Sequence, residues 1–506
     1  MLLLKTFLLQ REKSYIYMNS DLVYIDNFDG SPERPNMIDN PFVEGNDWLR
    51  FIEEEKQITL GEEQLHVLHD IVDIILDNFK RGDFLNPINL GGAAGCGKSL
   101  CTSFLLEWIN TKGFPVKLCA PTHKAALVLK KYNDYDATTL HSMLALSPKV
   151  DILKLDIREL RFFATNDKKM SIPYDGIIIC DEASMVSSDL YDLLVEKCSL
   201  MGTMIIFCDD YAQLNPVKED EQSKVFRCKH QFRLTKIYRQ SEKSGLKDIL
   251  QTLRTSPIHQ WNNCEGEDGS LFVKSKLEDF CKKAVSEFKY EIETKDILHT
   301  KILAYTNARV NNYNKAIHKL LWNDDNFLHK GEVLMAYENF KKDGYEITNS
   351  MDYIVEGFTP TIIKVPYYNS CKGYLVKLYD EYNNASFEVP LLAPEECNED
   401  LAIVIENIRT EAINSQGYDR KKKWGIYYAL MGSFCTSKDL FTDGRCIRKA
   451  TFKYGYAITT HRSQGSSYDN VFIDMKDIFR AKDKETLRQL QYVSMSRTRS
   501  DITMLL

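Results

Sequence analysis

The segment Gly92-Ala-Ala-Gly95-Cys-Gly97-Lys98-Ser99 constrains this chain more than any other stretch. It fits G-x-x-x-x-G-K-[ST], and its flanks fit as well. The apolar run Ile88-Asn89-Leu90 leads into it. A helical pattern of Leu100, Phe104, Leu105 and Trp108 follows it and stops near Gly113. A strand, a glycine-rich loop and a helix form a cradle whose backbone N–H groups turn inward on phosphate oxygens, with the helix N-terminus adding partial positive charge. In such a loop Lys98 reaches the β- and γ-phosphates and the Ser99 hydroxyl holds Mg²⁺. The loop alone leaves kinases, switches, transporters and motors open.

The rest of the chain repeats the strand–helix alternation. Short apolar runs at Ile88–Leu90, Val116–Ala120, Ile177–Cys180 and Met204–Cys208 are separated by helical stretches. This predicts an α/β fold with parallel strands buried on both faces. Runs at Lys301–Tyr305, Tyr454–Ile458 and Val471–Ile473 predict a second such domain. Leu65, Leu68, Ile71, Val72 and Ile75 recur at helical spacing before the first run. Residues 331–392 are rich in Tyr, Val, Ile and turn residues and predict a small β-rich insertion. Residues 398–430 read as charged helix, with Lys421, Lys422 and Lys423 either a strand contact or a solvated face. The first fifty residues, polar and turn-rich, read as a loosely structured extension.

Ile177-Ile178-Ile179-Cys180 runs into Asp181-Glu182, two carboxylates at the end of a buried strand, where open α/β sheets present ligands. Asp181 suits the magnesium shell. Glu182 suits orienting and deprotonating an attacking water.

Composition narrows the setting. The 506 residues carry a formal net charge of -7, which supplies no evidence for a nucleic-acid partner and does not exclude a locally basic groove. Thirteen cysteines without a C-x-x-C pair give little support to a cysteine zinc site or redox pair and suggest a reducing cytoplasm. No stretch is apolar for long enough to span a membrane. The start, MLLLKTFLLQREK, lacks the order of charge, apolar core and small-residue cleavage site of a signal peptide.

Four further segments follow in a fixed order: Ala120-Pro-Thr122-His123-Lys-Ala-Ala, Asp210-Tyr-Ala-Gln213-Leu-Asn-Pro-Val, Ala457-Ile-Thr-Thr460-His461-Arg462-Ser463-Gln464-Gly465, and Tyr492-Val-Ser-Met-Ser496-Arg497-Thr-Arg499. With the loop and the Asp-Glu pair they resemble the motifs of superfamily 1 helicases of the RecD/Dda type, from about residue 58 to the C-terminus. The resemblance implies two RecA-like domains with ATP and Mg²⁺ in the cleft between them. It implies domain 1A at 51–230 with a pin insertion at about 145–173, domain 2A at 231–325 and 446–506, and an SH3-like and helical insertion at 326–445.

The resemblance also implies roles. Gln213 would sense the γ-phosphate, although the usual glycine before the motif's aspartate is Asp209 here. Arg239, in Leu234-Thr-Lys-Ile-Tyr-Arg239-Gln240, and Arg497 would act as arginine fingers. Gln64 would read adenine, and Gly465 would join the nucleotide site. Thr122, His123, Thr139, His141, Tyr305, Thr306, Asn307, Thr460 and His461 would hold a nucleic-acid backbone without reading sequence. In the pin, Phe162 or Phe163 would stack on a base, against the favoured alternative that both pack inside the domain.

The implied partner is single-stranded DNA and duplex junctions, with 5′-to-3′ polarity, in replication, recombination or repair. A monomer, with replication or recombination proteins as possible partners, is expected. An RNA helicase and a nucleotide-dependent clamp remain open alternatives, as does a subunit of a nuclease–helicase complex.

Overall fold

A computed structural model describes residues 16–18, 21–23, 47–133, 135–149, 161–164, 170–216, 219, 221–238, 244–342 and 344–506. The chain divides into two compact units, Met1–Gln57 and Ile58–Leu506. The first contains more order than the sequence suggests: strands Ile16–Met18 and Asp21–Val23 pair antiparallel, and a helix spans Asp47–Lys56. That helix ends where Gln57 takes a left-handed conformation, φ 54°. The larger unit starts at Ile58.

The larger unit is built on two parallel sheets. The first has the spatial order His230–Leu234, Ile88–Gly92, Met204–Asp209, Ile177–Cys180, Val116–Ala120, Ala137–Thr139. Every residue of Ile177–Cys180 and of Met204–Asp209 is buried. Two covered faces explain why these strands read as unbroken apolar runs. The helix Glu62–Arg81 buries Leu68, Ile71, Val72 and Ile75 and stops at Gly82, φ 69°.

The second sheet has the order Leu271–Lys274, Ile502–Leu505, Asn470–Asp474, Thr300–Ala304, Ala457–Thr459, again all parallel. The run Tyr454–Ile458 is not one strand. It breaks at Gly455, whose N–H bonds the Val333 carbonyl while its own carbonyl accepts from Lys301 Nζ. Tyr454 thereby joins one sheet and Ala457 another.

The third sheet is antiparallel: Ala385–Leu392, Ser370–Asp380, Asp352–Lys364, Val333–Ala336, Phe452–Tyr454. Leu334, Val355, Val376, Leu378 and Val389 form its core, and Leu127 from beyond the first sheet packs against it. Helices Glu399–Asn414 and Gly417–Met431 lie beside it. Lys423 pairs with Glu411 and Asp419, and Lys421 and Lys422 are exposed, so this face is solvated and ion-paired. Strands Leu146–Lys149 and Arg161–Ala164 form a hairpin with Pro148 opposite Phe162. Phe162 and Phe163 lie on its second strand, and their side chains fall outside the described residues.

Among the described residues, no helix is long and apolar enough to cross a membrane.

Candidate nucleotide and nucleic-acid site

The C-terminal ends of the first sheet's strands deliver the glycine-rich loop, Asp181, Glu182 and Asp209 into one cleft of about 520 Å³. Its opposite wall carries Gly465, Ser466, Ser496, Arg497 and Arg499, from turns of the second parallel sheet. Gly95 and Gly97 have φ of 83° and 91°, conformations only glycine takes without strain. A Cβ on Gly97 would stand 2.2 Å from Gln64 Nε2. The helix then opens at Lys98, whose Nζ donates to the carbonyls of Gly92 at 2.7 Å and Ala93 at 3.0 Å. Burial opposes the Lys98 charge; Cys96, Asp210, Asp181 and Glu182 outweigh it and raise its pKa.

Burial and the neighbouring Glu182 push the Asp181 carboxyl up to about 6, against the Glu182 N–H and Lys98. This concentration of buried negative charge is what a divalent cation relieves. Ser99 and Asp181 line the cleft together and offer hard oxygen ligands of the kind Mg²⁺ takes. The donor set therefore fits the metal. Glu182 itself has φ 52° and ψ 36°. A non-glycine residue in the left-handed region is strained, and here the strain aims a carboxylate into the cleft beside the phosphate loop.

Asp210, fully buried, ties the two parallel-sheet domains together. Its Oδ1 takes Arg254 Nη1 at 3.0 Å and its Oδ2 takes the Tyr492 hydroxyl at 2.5 Å. That hydroxyl also accepts the Ala94 N–H of the phosphate loop at 3.3 Å. Three residues on, Gln213 Oε1 accepts from Gln464 Nε2 at 3.4 Å. Arg497 is 4% exposed, and its guanidinium bonds the Val493 carbonyl, the Ser466 carbonyl and the Ser496 hydroxyl. Among the described residues no carboxylate pairs with it, which leaves its full charge for the cleft.

The AAA domain family matches residues 85–264, and the UvrD-like helicase C-terminal domain family matches residues 454–505. ATP-dependent DNA helicase dda of Enterobacteria phage T4 is 27% identical over 447 residues, covering 82% of this chain and 93% of that protein. This chain is a homologue of the superfamily 1 helicases of the RecD/Dda type. The ATP-dependent RecD2 DNA helicase of Deinococcus radiodurans is 28% identical over 219 residues, 43% of this chain and 27% of that protein. A Bacteroides Pif1 helicase structure, in complex with ADP-AlF3 and ssDNA, is 18% identical, covering 88% of this chain and 92% of that one, with a TM-score of 0.46.

Against the helicase motifs the residues sort unevenly. Lys98, Ser99, Asp181, Glu182, Gln213, Gly465 and Arg497 share the cleft. Gln64 does not line it. Its Oε1 accepts the Gly61 N–H and its Nε2 donates to the Cys96 carbonyl, so the amide ties the start of its own helix to the phosphate loop. Arg239 lies outside the described residues; the preceding Tyr238 donates its N–H to the Gly95 carbonyl at 2.8 Å. Asp209, in the usual glycine place, bonds Asn89 Nδ2 and pairs with Arg233 at 3.4 Å.

On the strand side, His123 and Thr139 line a groove of about 470 Å³ shared with Tyr345, Glu346 and Phe387 of the insertion. His123 and Asn307 are exposed, and the Tyr305 ring lies 6.0 Å from the His461 ring. Burial, then His123, lowers the pKa of His141.

Thr460 requires correction. It is fully buried, with its hydroxyl against the Ala304 carbonyl and Ser494 Oγ, so it holds the turn from inside and cannot meet a strand. The hydroxyls of Thr122, Thr139 and Thr306 accept backbone N–H groups from Ala125, Ser142 and Arg309, as helix-starting caps. Asp477 clamps the Tyr305 and Thr306 N–H groups.

Several residues escaped the motif reading. Lys124 and Lys301, both buried, converge on Asp352 Oδ2 at 3.8 and 3.2 Å, joining all three sheets' domains. Arg462 stacks over Tyr337 at 4.0 Å and reaches Ser350 Oγ at 3.4 Å, linking its motif to the insertion. Lys124, Arg462 and Gln464 sat inside quoted motifs and were legible as candidates. Arg254 closes a helix with no local pattern to mark it.

Proposed function

We propose that this chain is an ATP-driven motor that moves 5′-to-3′ along single-stranded DNA and unwinds duplex ahead of it, in replication, recombination or repair. The observation that carries the reading is the two-walled cleft. The phosphate loop, Asp181 and Glu182 stand on one domain, and a buried arginine, Arg497, with no carboxylate partner among the described residues, faces them from the other.

In this reading Lys98 and the loop N–H groups hold the β- and γ-phosphates of ATP. Ser99 and Asp181 would hold Mg²⁺, which when bound neutralises phosphate charge. Glu182 orients a water and takes its proton as the oxygen attacks the γ-phosphorus, and ADP leaves. Arg497 counters charge on the transferring group only when the walls close, so closure and hydrolysis are coupled; such a finger contributes roughly 10³–10⁵ in rate. Gln213, bonded to Gln464, passes the state of the cleft toward the His461 turn and the strand groove.

The test is ATPase rate with no nucleic acid, with single-stranded DNA and with single-stranded RNA, followed by unwinding of 5′- and 3′-tailed duplexes. Stimulation by DNA and unwinding of the 5′-tailed duplex are expected. Stimulation by RNA alone would replace the substrate, and equal turnover in all arms would replace the motor with a clamp.

A further inference from the structure

His318, on the helix Asn307–Trp322, His329, in the turn beyond it, and Glu332, just before the strand Val333–Ala336, bring one ligand atom each within 4.8 Å of one another. Glu332 is fully buried and His318 nearly so. Both imidazoles turn Nδ1 toward the carboxylate, His318 at 2.7 Å from Oε1 and His329 at 3.6 Å from Oε2. Their Nε2 atoms face acceptors. His318 Nε2 lies 3.0 Å from the Asn326 carbonyl and His329 Nε2 lies 3.0 Å from Asp324 Oδ1. A carbonyl and a carboxylate only accept, so both Nε2 atoms carry protons, and each ring turns its Nδ1 to the same buried carboxylate.

Two Nδ1 atoms and a carboxylate so placed converge on the position a cation would take. His329 Nδ1 and Glu332 Oε2 are both buried without a hydrogen-bond partner. Stacking fixes the rings, His318 on Tyr454 and His329 on Trp322, each at 4.2 Å between centroids. Imidazoles held at Nε2 by a carboxylate or carbonyl, with Nδ1 turned to the shared carboxylate, match the outer hydrogen bonding of metal-ligating histidines. Two imidazoles and one carboxylate are a zinc-type donor set. A cavity of about 610 Å³ reaches His318 and Asp324 and gives an ion and a fourth, water ligand a way in.

We propose that His318 Nδ1, His329 Nδ1 and a Glu332 oxygen form a structural site for a divalent transition-metal ion of the zinc class. The ion would bolt the second parallel domain to the first strand of the antiparallel insertion. Tyr456, whose hydroxyl donates to Glu332 Oε1 at 2.8 Å, completes the joint.

The full-length chain, stripped with chelator, is titrated with Zn²⁺ alone and with Co²⁺ alone. Binding of one equivalent is expected, with visible Co²⁺ absorption lacking thiolate charge-transfer bands and a rise in melting temperature on adding Zn²⁺. His329→Ala and Glu332→Gln should abolish all three. Asp324→Asn, which keeps every ligand, should weaken affinity by about 10–100-fold. Unchanged Zn²⁺ affinity across these variants, or a thiolate Co²⁺ spectrum, would overturn the site. So would a wild-type chain that takes up neither Zn²⁺ nor Co²⁺.

Discussion

Gln464 donates its side-chain amide to the Gln213 side-chain oxygen across the boundary between the two parallel-sheet domains, at 3.4 Å. Gln213 lines the nucleotide cleft, and Gln464 follows the turn that carries His461 and Arg462. A residue lining the cleft is thus joined directly to one beside the turn of His461 and Arg462. Gln464→Ala should leave turnover without DNA near wild type and reduce its stimulation by single-stranded DNA by about fivefold or more, the scale of a modest coupling free energy. Steady-state ATPase against DNA concentration measures this. Full stimulation in the variant would remove the bond from the coupling route.

Glu182→Gln keeps the size and the polar character of the side chain and removes the base. The variant should bind ATP and DNA as wild type does and hydrolyse about 10²–10⁴-fold more slowly in single-turnover assays. Lys98→Ala, which deletes the phosphate contact, should instead lose nucleotide affinity and turnover together. If Glu182→Gln binds ATP poorly, its left-handed backbone serves the loop rather than the chemistry.

Asp352 stands between two lysines that are 4% and 1% exposed. Asp352→Asn would leave both ammonium groups buried without a countercharge. Removing one partner of a buried ion pair costs about 3–5 kcal/mol. The urea midpoint of the variant should fall accordingly, and Lys124→Met combined with Lys301→Met should recover part of the loss.

Burial raises the Asp209 carboxyl to about 7, with Asn89, Arg233 and Lys98 pulling the other way and Asp210 adding to the rise. In the unfolded chain such a group titrates at about 3.9. Between these values the folded protein holds a proton that the unfolded chain has released. Stability therefore falls as pH rises through that window and levels off above it. Asp209→Asn has no proton to lose. Relative to wild type it should gain stability between pH 5 and pH 8, as read from paired urea midpoints, while Asp181 contributes equally to both proteins.

The strands of the first sheet were legible because each is covered on both faces, and an unbroken apolar run leaves little else to read. The phosphate loop was legible because its glycines answer a backbone requirement that few other sequences meet. Chemical type alone misled at Thr460, whose hydroxyl faces the Ala304 carbonyl rather than a groove. It was incomplete at Thr122, Thr139 and Thr306, where the hydroxyl starts a helix. Arg254 with Asp210, and Lys124 with Asp352, meet only after folding; no local pattern marks which lysine a distant aspartate will find.

The antiparallel insertion interrupts the second parallel domain, so that Asn314 and Ala457, which bond directly, are 143 residues apart in the chain. Bringing such distant segments together is entropically slow. The insertion shortens the search. Asp352–Lys364 and Ser370–Asp380 form a local hairpin, and the sheet they belong to sets Leu334 opposite Tyr454. Once that sheet exists, Ala457 is delivered beside the helix and strand it must join. The inserted module is then a folding splint for the domain it divides, and weakening its hairpins should slow the assembly of a sheet they do not belong to.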